Sequence, residues 1–217
     1  NINPMKKYLL FCLALIVFTK TNAQVTAKDC TAAVNVCTNA SFSVSPAGSG
    51  FIDFTTGSTV SNPLPGTPTM LPPAGSGCLY SGELNPTWMI INIQTPGTLE
   101  FSMGAGTGPG AQSGCYDWSM WVYNASTCTG INGNTLPPIR CCWNGACSGG
   151  TGLSSAANLP AGAFQHNFGA PINANCGDKY ILCFSNYSSV NTLVPLNFFG
   201  TAIVSCSPLS STLTINS

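Results

Sequence analysis

Charge is what this sequence has least of. Its 217 residues carry six Lys and Arg, six Asp and Glu and one His, so charged side chains make up 6% of the chain, against about 25% in ordinary soluble domains. Three of the six cations, Lys6, Lys7 and Lys20, sit near the N-terminus, which leaves Lys28, Arg140 and Lys179 for the rest of the molecule. Three cations build neither a counterion-releasing stripe along a nucleic acid nor a polybasic patch on an anionic membrane. Both partners are excluded on that ground. The six acids, Asp29, Asp53, Glu83, Glu100, Asp117 and Asp178, all follow the N-terminal stretch, so the remainder is mildly acidic. Histidine is nearly absent too: His166 in "FQHNF" reads as a surface or loop residue with no nucleophile tied to it by motif, and no G-x-S-x-G elbow occurs. An enzyme is not expected.

The stretch "MKKYLLFCLALIVFTKTNAQ" has a basic start, an apolar run from Tyr8 to Phe18, and small residues around Ala23. It reads as a cleaved secretory signal, because 11 apolar residues fall short of the roughly 20 that cross a bilayer. Residues 1–23 are then removed, Asn1 to Pro4 being an extension ahead of the initiator Met5, and Gln24 opens the mature chain. Localisation is secreted, at the cell surface, with no membrane span in the mature chain.

Cysteine is abundant. Twelve are present, and with Cys12 in the leader eleven remain: Cys30, Cys37, Cys78, Cys115, Cys128, Cys141, Cys142, Cys147, Cys176, Cys183 and Cys206. In an exported protein such density is a disulfide framework. Eleven is odd, so at least one thiol is left over, free or bridging two molecules. Zinc is not expected, since Cys141, Cys142 and Cys147 lack paired C-x2-C spacing.

With 23 Gly and 16 Pro punctuating the chain, no window after the signal is long enough for a helix. The expected class is all-β, a disulfide-stabilised sandwich of about 8–10 strands in one domain over residues 24–217, with a short C-terminal tail. "TWMIINI" (87–93) and "TLEFSM" (98–103) flank "QTPG" as a hairpin, with Gly97 taking positive φ. Other strands are "SFSVS" (41–45), "FIDF" (51–54), "DWSMWVY" (117–123), "KYILCFSNYS" (179–188) and "VPLNFFGTAIVSC" (194–206), bent at Gly200. Residues 58–77 and 147–162 read as long surface loops, where recognition is expected. Asn39, Asn124 and Asn186 of the N-x-S/T sites read as loop and turn residues.

The strand at 117–123 puts Trp118, Met120 and Val122 on a core face. Its opposite face carries Trp121 and Tyr123, which form either a second covered face or a stacking platform for a glycan.

Taken together, "GELNPTWMIINIQTPGTLEFSM", "GCYDWSMWVYN", "GDKYILCFSNYSS" and "VPLNFFGTA" resemble, in order and spacing, the CUB-like domain near the start of many secreted Bacteroidota proteins linked to gliding and surface adhesion. The match runs from about Cys30 to Cys206. It implies a jelly-roll β-sandwich, non-enzymatic and extracellular, exported across the inner membrane and then often by the type IX secretion system. Proteins of that kind usually carry further adhesive modules and a C-terminal sorting domain, which these 217 residues do not include. Their cysteine count is also lower.

Calcium-binding CUB domains carry an aspartate in the segment after a cysteine, and Asp117 of "CYDW" takes that position. Their partner glutamate falls within "GTGPGAQSG" of this sequence, which has no carboxylate. A calcium site would therefore draw Glu83, Asp53 or backbone carbonyls to Asp117, since a hard cation takes six to eight oxygens. The alternative is an aspartate that caps a loop through backbone amides.

Two functions from different classes fit. One is a secreted, non-enzymatic adhesion module that binds a glycan or other surface ligand. The other is a self-assembling subunit of an extracellular filament, suggested by scarce charge, the odd cysteine and the apolar strand near the C-terminus. A glycoside hydrolase built on Glu83 and Glu100 ranks below both.

Overall fold

The computed structural model describes residues 27–40, 42–44, 48, 50, 51, 53, 78, 79, 82–104, 114–188 and 193–206. In chain order the strands are β1 (Val34–Val36), β2 (Phe42–Val44), β3 (Thr87–Thr95), β4 (Gly97–Leu99), β5 (Phe101–Met103), β6 (Tyr116–Val122), β7 (Arg140–Cys142), β8 (Thr151–Leu153), β9 (Phe168–Gly169), β10 (Ile172–Ala174), β11 (Lys179–Asn186), β12 (Val194–Phe198) and β13 (Ile203–Val204). One short helix, α1 (Thr127–Asn132), lies between β6 and β7. The all-β, disulfide-stabilised sandwich expected from composition is the fold observed.

The larger sheet runs β1-β3-β11-β6-β7, with β13 also paired to β3. The smaller runs β2-β12-β5-β8-β9, and β4 forms a ribbon with β10. Register puts matching residues in rows across the larger sheet. Leu182 of β11 sits between Met89 of β3 and Met120 of β6, and one residue further along Cys183 sits between Trp88 and Ser119. Because side chains alternate along a strand, the first row faces the smaller sheet and the second faces away.

Between the sheets lies a core of Met89, Ile91, Ile93, Trp118, Met120, Leu182 and Phe184 against Phe101, Met103, Leu153, Val194 and Leu196. Phe101 meets Trp118 edge-on with centroids 5.4 Å apart, the arrangement a ring quadrupole favours. The outward rows are buried as well. Trp88, Ile90, Trp121, Ile181 and Cys183 gather under Ala27, Cys30, Leu79 and Ile131, so the sheet reads as apolar on both faces.

Three sequence expectations are corrected. Strands β3 and β4 do not form a hairpin: β3 pairs with β11, β1 and β13, whereas β4 pairs with β10. Gly97 carries the chain across from one sheet towards the other, and its role is close approach, because a Cβ there would stand 2.6 Å from the backbone of Thr201 and Ala202. Secondly, residues 147–162 are not one long surface loop. They contain β8, an interior strand of the smaller sheet, where Gly152 at φ +155° lets the backbone lie against Phe101 and Ser102. Thirdly, α1 forms despite Gly130, because Asn124 and Thr127 bond the chain that enters it and Cys128 bridges it to Cys30. The strand expected at 41–45 appears as β2, and Gly200 sits at the bend between β12 and β13. Phe51 and Asp53 are not in a strand, and the loop at 58–77 and the leader lie outside the described residues.

Candidate functional site

Two groups of buried polar side chains and one group of exposed rings are the places where chemistry could concentrate. The first group lies on the outward face of the larger sheet. Irregular backbone covers that face, and its amides need acceptors. Glu83 accepts from the Asp53 amide and, at 2.7 Å, from Trp88 Nε1, while Asp53 accepts from the Cys30 amide at 2.8 Å. The Cys183 thiol points at Glu83 Oε1 from 4.0 Å. Burial pushes the Glu83 carboxyl up to about 7, with the amide of Asp53 and the indole of Trp88 pulling the other way. Burial likewise raises Asp53, and it lifts the Cys183 thiol well above its ordinary value.

Asp117 belongs to the second group. It accepts from the Asn144 amide at 2.9 Å, and burial raises it to about 6 against that bond. Asn144 donates from its side chain to the carbonyls of Ser148 and Gly150, and Asn167 donates to Asn144 Oδ1 and Ser148. Thr151 then links Asn167 to the indole of Trp118. An aspartate that caps a loop through a backbone amide is the alternative to calcium at this residue, and half-buried Asp117 makes that bond to Asn144.

The three residues of the expected calcium set fall in two places. Asp53 and Glu83 meet, but Asp117 is tied into a separate network, and among the described residues no group of three or more His, Cys, Asp or Glu is arranged to hold a metal. Both Glu83 oxygens, Asp53 Oδ2 and Asp117 Oδ1 accept from N–H donors. The Glu83 and Glu100 pair fares no better: Glu100 is buried beside the 3-10 turn Ala156–Asn158, accepting from Asn158 Nδ2 and the Ser155 amide, in a part of the fold away from Trp88 and Glu83.

Trp121 is not a platform. It is wholly buried, stacks on Trp88 with centroids 5.7 Å apart, and donates to the Leu136 carbonyl at 3.1 Å. The segment after α1 covers it. Tyr123 is half-buried against the same cluster, and Val122, expected in the core, is exposed at the strand end. No protein-family model, curated protein or solved structure matches this chain.

Besides Phe51, three exposed rings lie elsewhere. Trp143 (41% exposed), Phe164 (46%) and Tyr187 (51%) stand on connections beyond β7, before β9 and after β11. Sequence reasoning did not single them out: Tyr187 fell at the end of the strand expected at 179–188, and Trp143 and Phe164 lie outside every expected strand. A detectable signal was their spacing next to glycine, in "WNG" and "AGAF".

Four disulfides, Cys30–Cys128, Cys37–Cys206, Cys78–Cys141 and Cys115–Cys147, use eight of the eleven cysteines. Cys142 and Cys183, both buried, and the exposed Cys176 lie outside these bridges. Such bridges belong to an oxidising compartment, and no helix among the described residues is long and apolar enough to cross a membrane.

Proposed function

We propose that this chain is a secreted, non-enzymatic binding module that attaches to surfaces outside the cell. The observation that carries the reading is the set of exposed aromatic rings on disulfide-fastened connections. Tyr187 bonds through its amide to Cys115, which is bridged to Cys147, whose own amide returns to Asn144 beside Trp143. Rings held this way lose little freedom on binding, so their contact area converts to affinity. The leader-like N-terminus, the bridges and the scarcity of charge support the same reading. The resemblance to CUB-like adhesion domains supports it too.

The test is retention of beads coated with the oxidised chain on polysaccharide-coated and protein-coated surfaces under flow. Saturable retention that disappears once the bridges are reduced is expected; retention no better than that of uncoated beads on every surface would end the reading.

A second reading, a self-assembling subunit, is favoured by one observation: Cys176 is exposed and outside the bridges, at the turn before β11. It predicts oligomers in sedimentation that a reductant or Cys176→Ser dissolves. A monomer at all concentrations excludes it.

A further inference from the structure

The connections that carry Trp143, Phe164 and Tyr187 are tied to one another: Asn167 donates to Asn144 Oδ1, and the Tyr187 amide donates to the carbonyl of Cys115, which is bridged to Cys147. The Cys142 thiol lies 4.0 Å from the Trp143 carbonyl and 3.8 Å from the His166 carbonyl, so the connections after β7 and before β9 meet over that sulfur. His166 stacks on Phe164 with centroids 5.6 Å apart and planes 14° from parallel. Glycines floor the rings. A Cβ at Gly145 would stand 3.0 Å from the Trp143 ring, and one at Gly149, where φ is +75°, would stand 2.7 Å from the Phe164 ring. The Trp143 and Phe164 rings therefore each have bare backbone beside them, while both residues stay about two-fifths or more exposed. Beneath them, the Asn144 and Asn167 amides lock residues 144–150 from inside.

The chemistry of the ligand follows from what is missing. Residues 143–150 and 160–167, with Tyr187, include no Lys, Arg, Asp or Glu. A phosphate, a nucleic acid or a charged peptide finds no counter-charge on them. Flat amphipathic rings beside amide, imidazole and phenol groups suit a ligand with flat C–H faces and a hydroxyl rim. A neutral hexopyranose has both. We propose that Trp143, Phe164, His166 and Tyr187 form a platform for neutral glycans.

The inference rests on the binding-module reading and deepens it, and the two fail separately. The experiment is native affinity electrophoresis of the oxidised chain through gels containing a neutral glucan, a mannan, a galactan or a xylan, with alginate as the anionic comparison. Retardation in at least one neutral gel is expected. Trp143→Ala and Phe164→Ala should each weaken it about tenfold, whereas Trp143→Phe and Phe164→Trp restore it, which a merely misfolded loop would not do. Val122→Ser, exposed at the end of β6, should leave it unchanged. The platform is overturned if no neutral gel retards the chain although coated beads still adhere, if both alanine variants bind as the parent does, or if alginate retards more strongly than any neutral polymer. Sedimentation of Trp143→Ala supplies the remaining outcome: self-association lost with no retardation in the parent assigns the rings to contacts between copies and overturns the glycan assignment.

Discussion

On its inner face the larger sheet sets Met89, Ile91, Trp118, Met120, Leu182 and Phe184 against a second sheet; on its outer face Trp88, Ile90, Trp121, Ile181 and Cys183 meet short coil segments and a six-residue helix. Both faces are dry, but their covers differ in kind. A facing sheet satisfies its own backbone and offers a pleat of matching period, so apolar side chains alone can fill the gap. Coil does neither. Its amides turn inward and find Glu83, Asp53 and the Ser185 hydroxyl, which accepts from the Leu84 amide at 3.1 Å. Two of the four bridges, Cys30–Cys128 and Cys78–Cys141, fasten this cover, and no bridged cysteine lies in the core between the sheets. Packing holds one face. Cross-links and buried carboxyls hold the other.

The largest effect should come from the inner face. Trp118→Ala removes a fully buried indole, its contact with Phe101 and its bond to Thr151, at a cost of about 4–5 kcal/mol. Denaturant unfolding should show that loss as one cooperative transition with the disulfides intact. A much smaller loss would mean that the bridges, not the core, hold the sandwich together.

Next comes the cover. Replacing Cys30 and Cys128 by Ala opens a cross-link spanning 98 residues and should cost about 3–4 kcal/mol. The difference between the faces predicts more than a number: emission from Trp88 and Trp121 should shift towards that of exposed indole before the circular dichroism of the sheets changes. Coincident transitions would show that the cover and the sandwich are a single cooperative unit.

The half-buried carboxyls of Glu83 and Asp117 predict a pH dependence of unusual direction. In the folded chain Glu83 titrates near 7 against an ordinary 4.5, and Asp117 near 6 against 3.8. The native state thus binds more protons than the unfolded state between those values, and stability falls as pH rises. The contribution from Glu83 is complete below about 4.5 and lost as pH climbs through about 7; that from Asp117 is complete below about 3.8 and lost through about 6. The thermal midpoint should decline from pH 4 to pH 7. Glu83→Gln should flatten the upper part of that slope by about 1–2 kcal/mol, allowing for partial solvent screening. A midpoint that rises over this interval would mean that Glu83 is not the proton-binding acceptor of the cover.

How much of this was legible beforehand depended on whether a residue's partner was close in sequence or in kind. The strands expected at 117–123 and 179–188 appear as β6 and β11, and alternation put Trp118 and Met120 on the core face of the first, because period and burial are written locally. The two-sheet core followed. The cover was not legible. Nothing near Trp121 announces that Leu136 will accept its indole proton, nor does "GELNP" announce that Glu83 meets Asp53. Those contacts are fixed by bridges whose pairing no spacing dictates. Turn chemistry misled at Pro96-Gly97, where close approach to Thr201 and Ala202, not positive φ, explains the glycine. It misled again at Gly149, Gly150 and Gly152, whose positive φ values allow an interior strand to pass through a glycine-rich segment that resembles a loop.

The smallest predicted effect is also the most direct measure of how tight the coil cover is. Cys183 lies in the outward row between Trp88 and Ser119, fully buried, its thiolate opposed by desolvation and by the nearby Glu83 and Asp53. Cys176 is exposed on the turn that leads through Gly177 and Asp178 into β11 at Lys179. Thiolate, not thiol, is the alkylating form. Iodoacetamide at neutral pH, followed by mass spectrometry, should therefore modify Cys176 in the folded chain and reach Cys183 only after denaturation, with no change in stability from the first adduct. If Cys183 were labelled at a rate near that of Cys176, the cover would be opening on the timescale of the experiment, and the dryness attributed to the outer face would belong to the inner face alone.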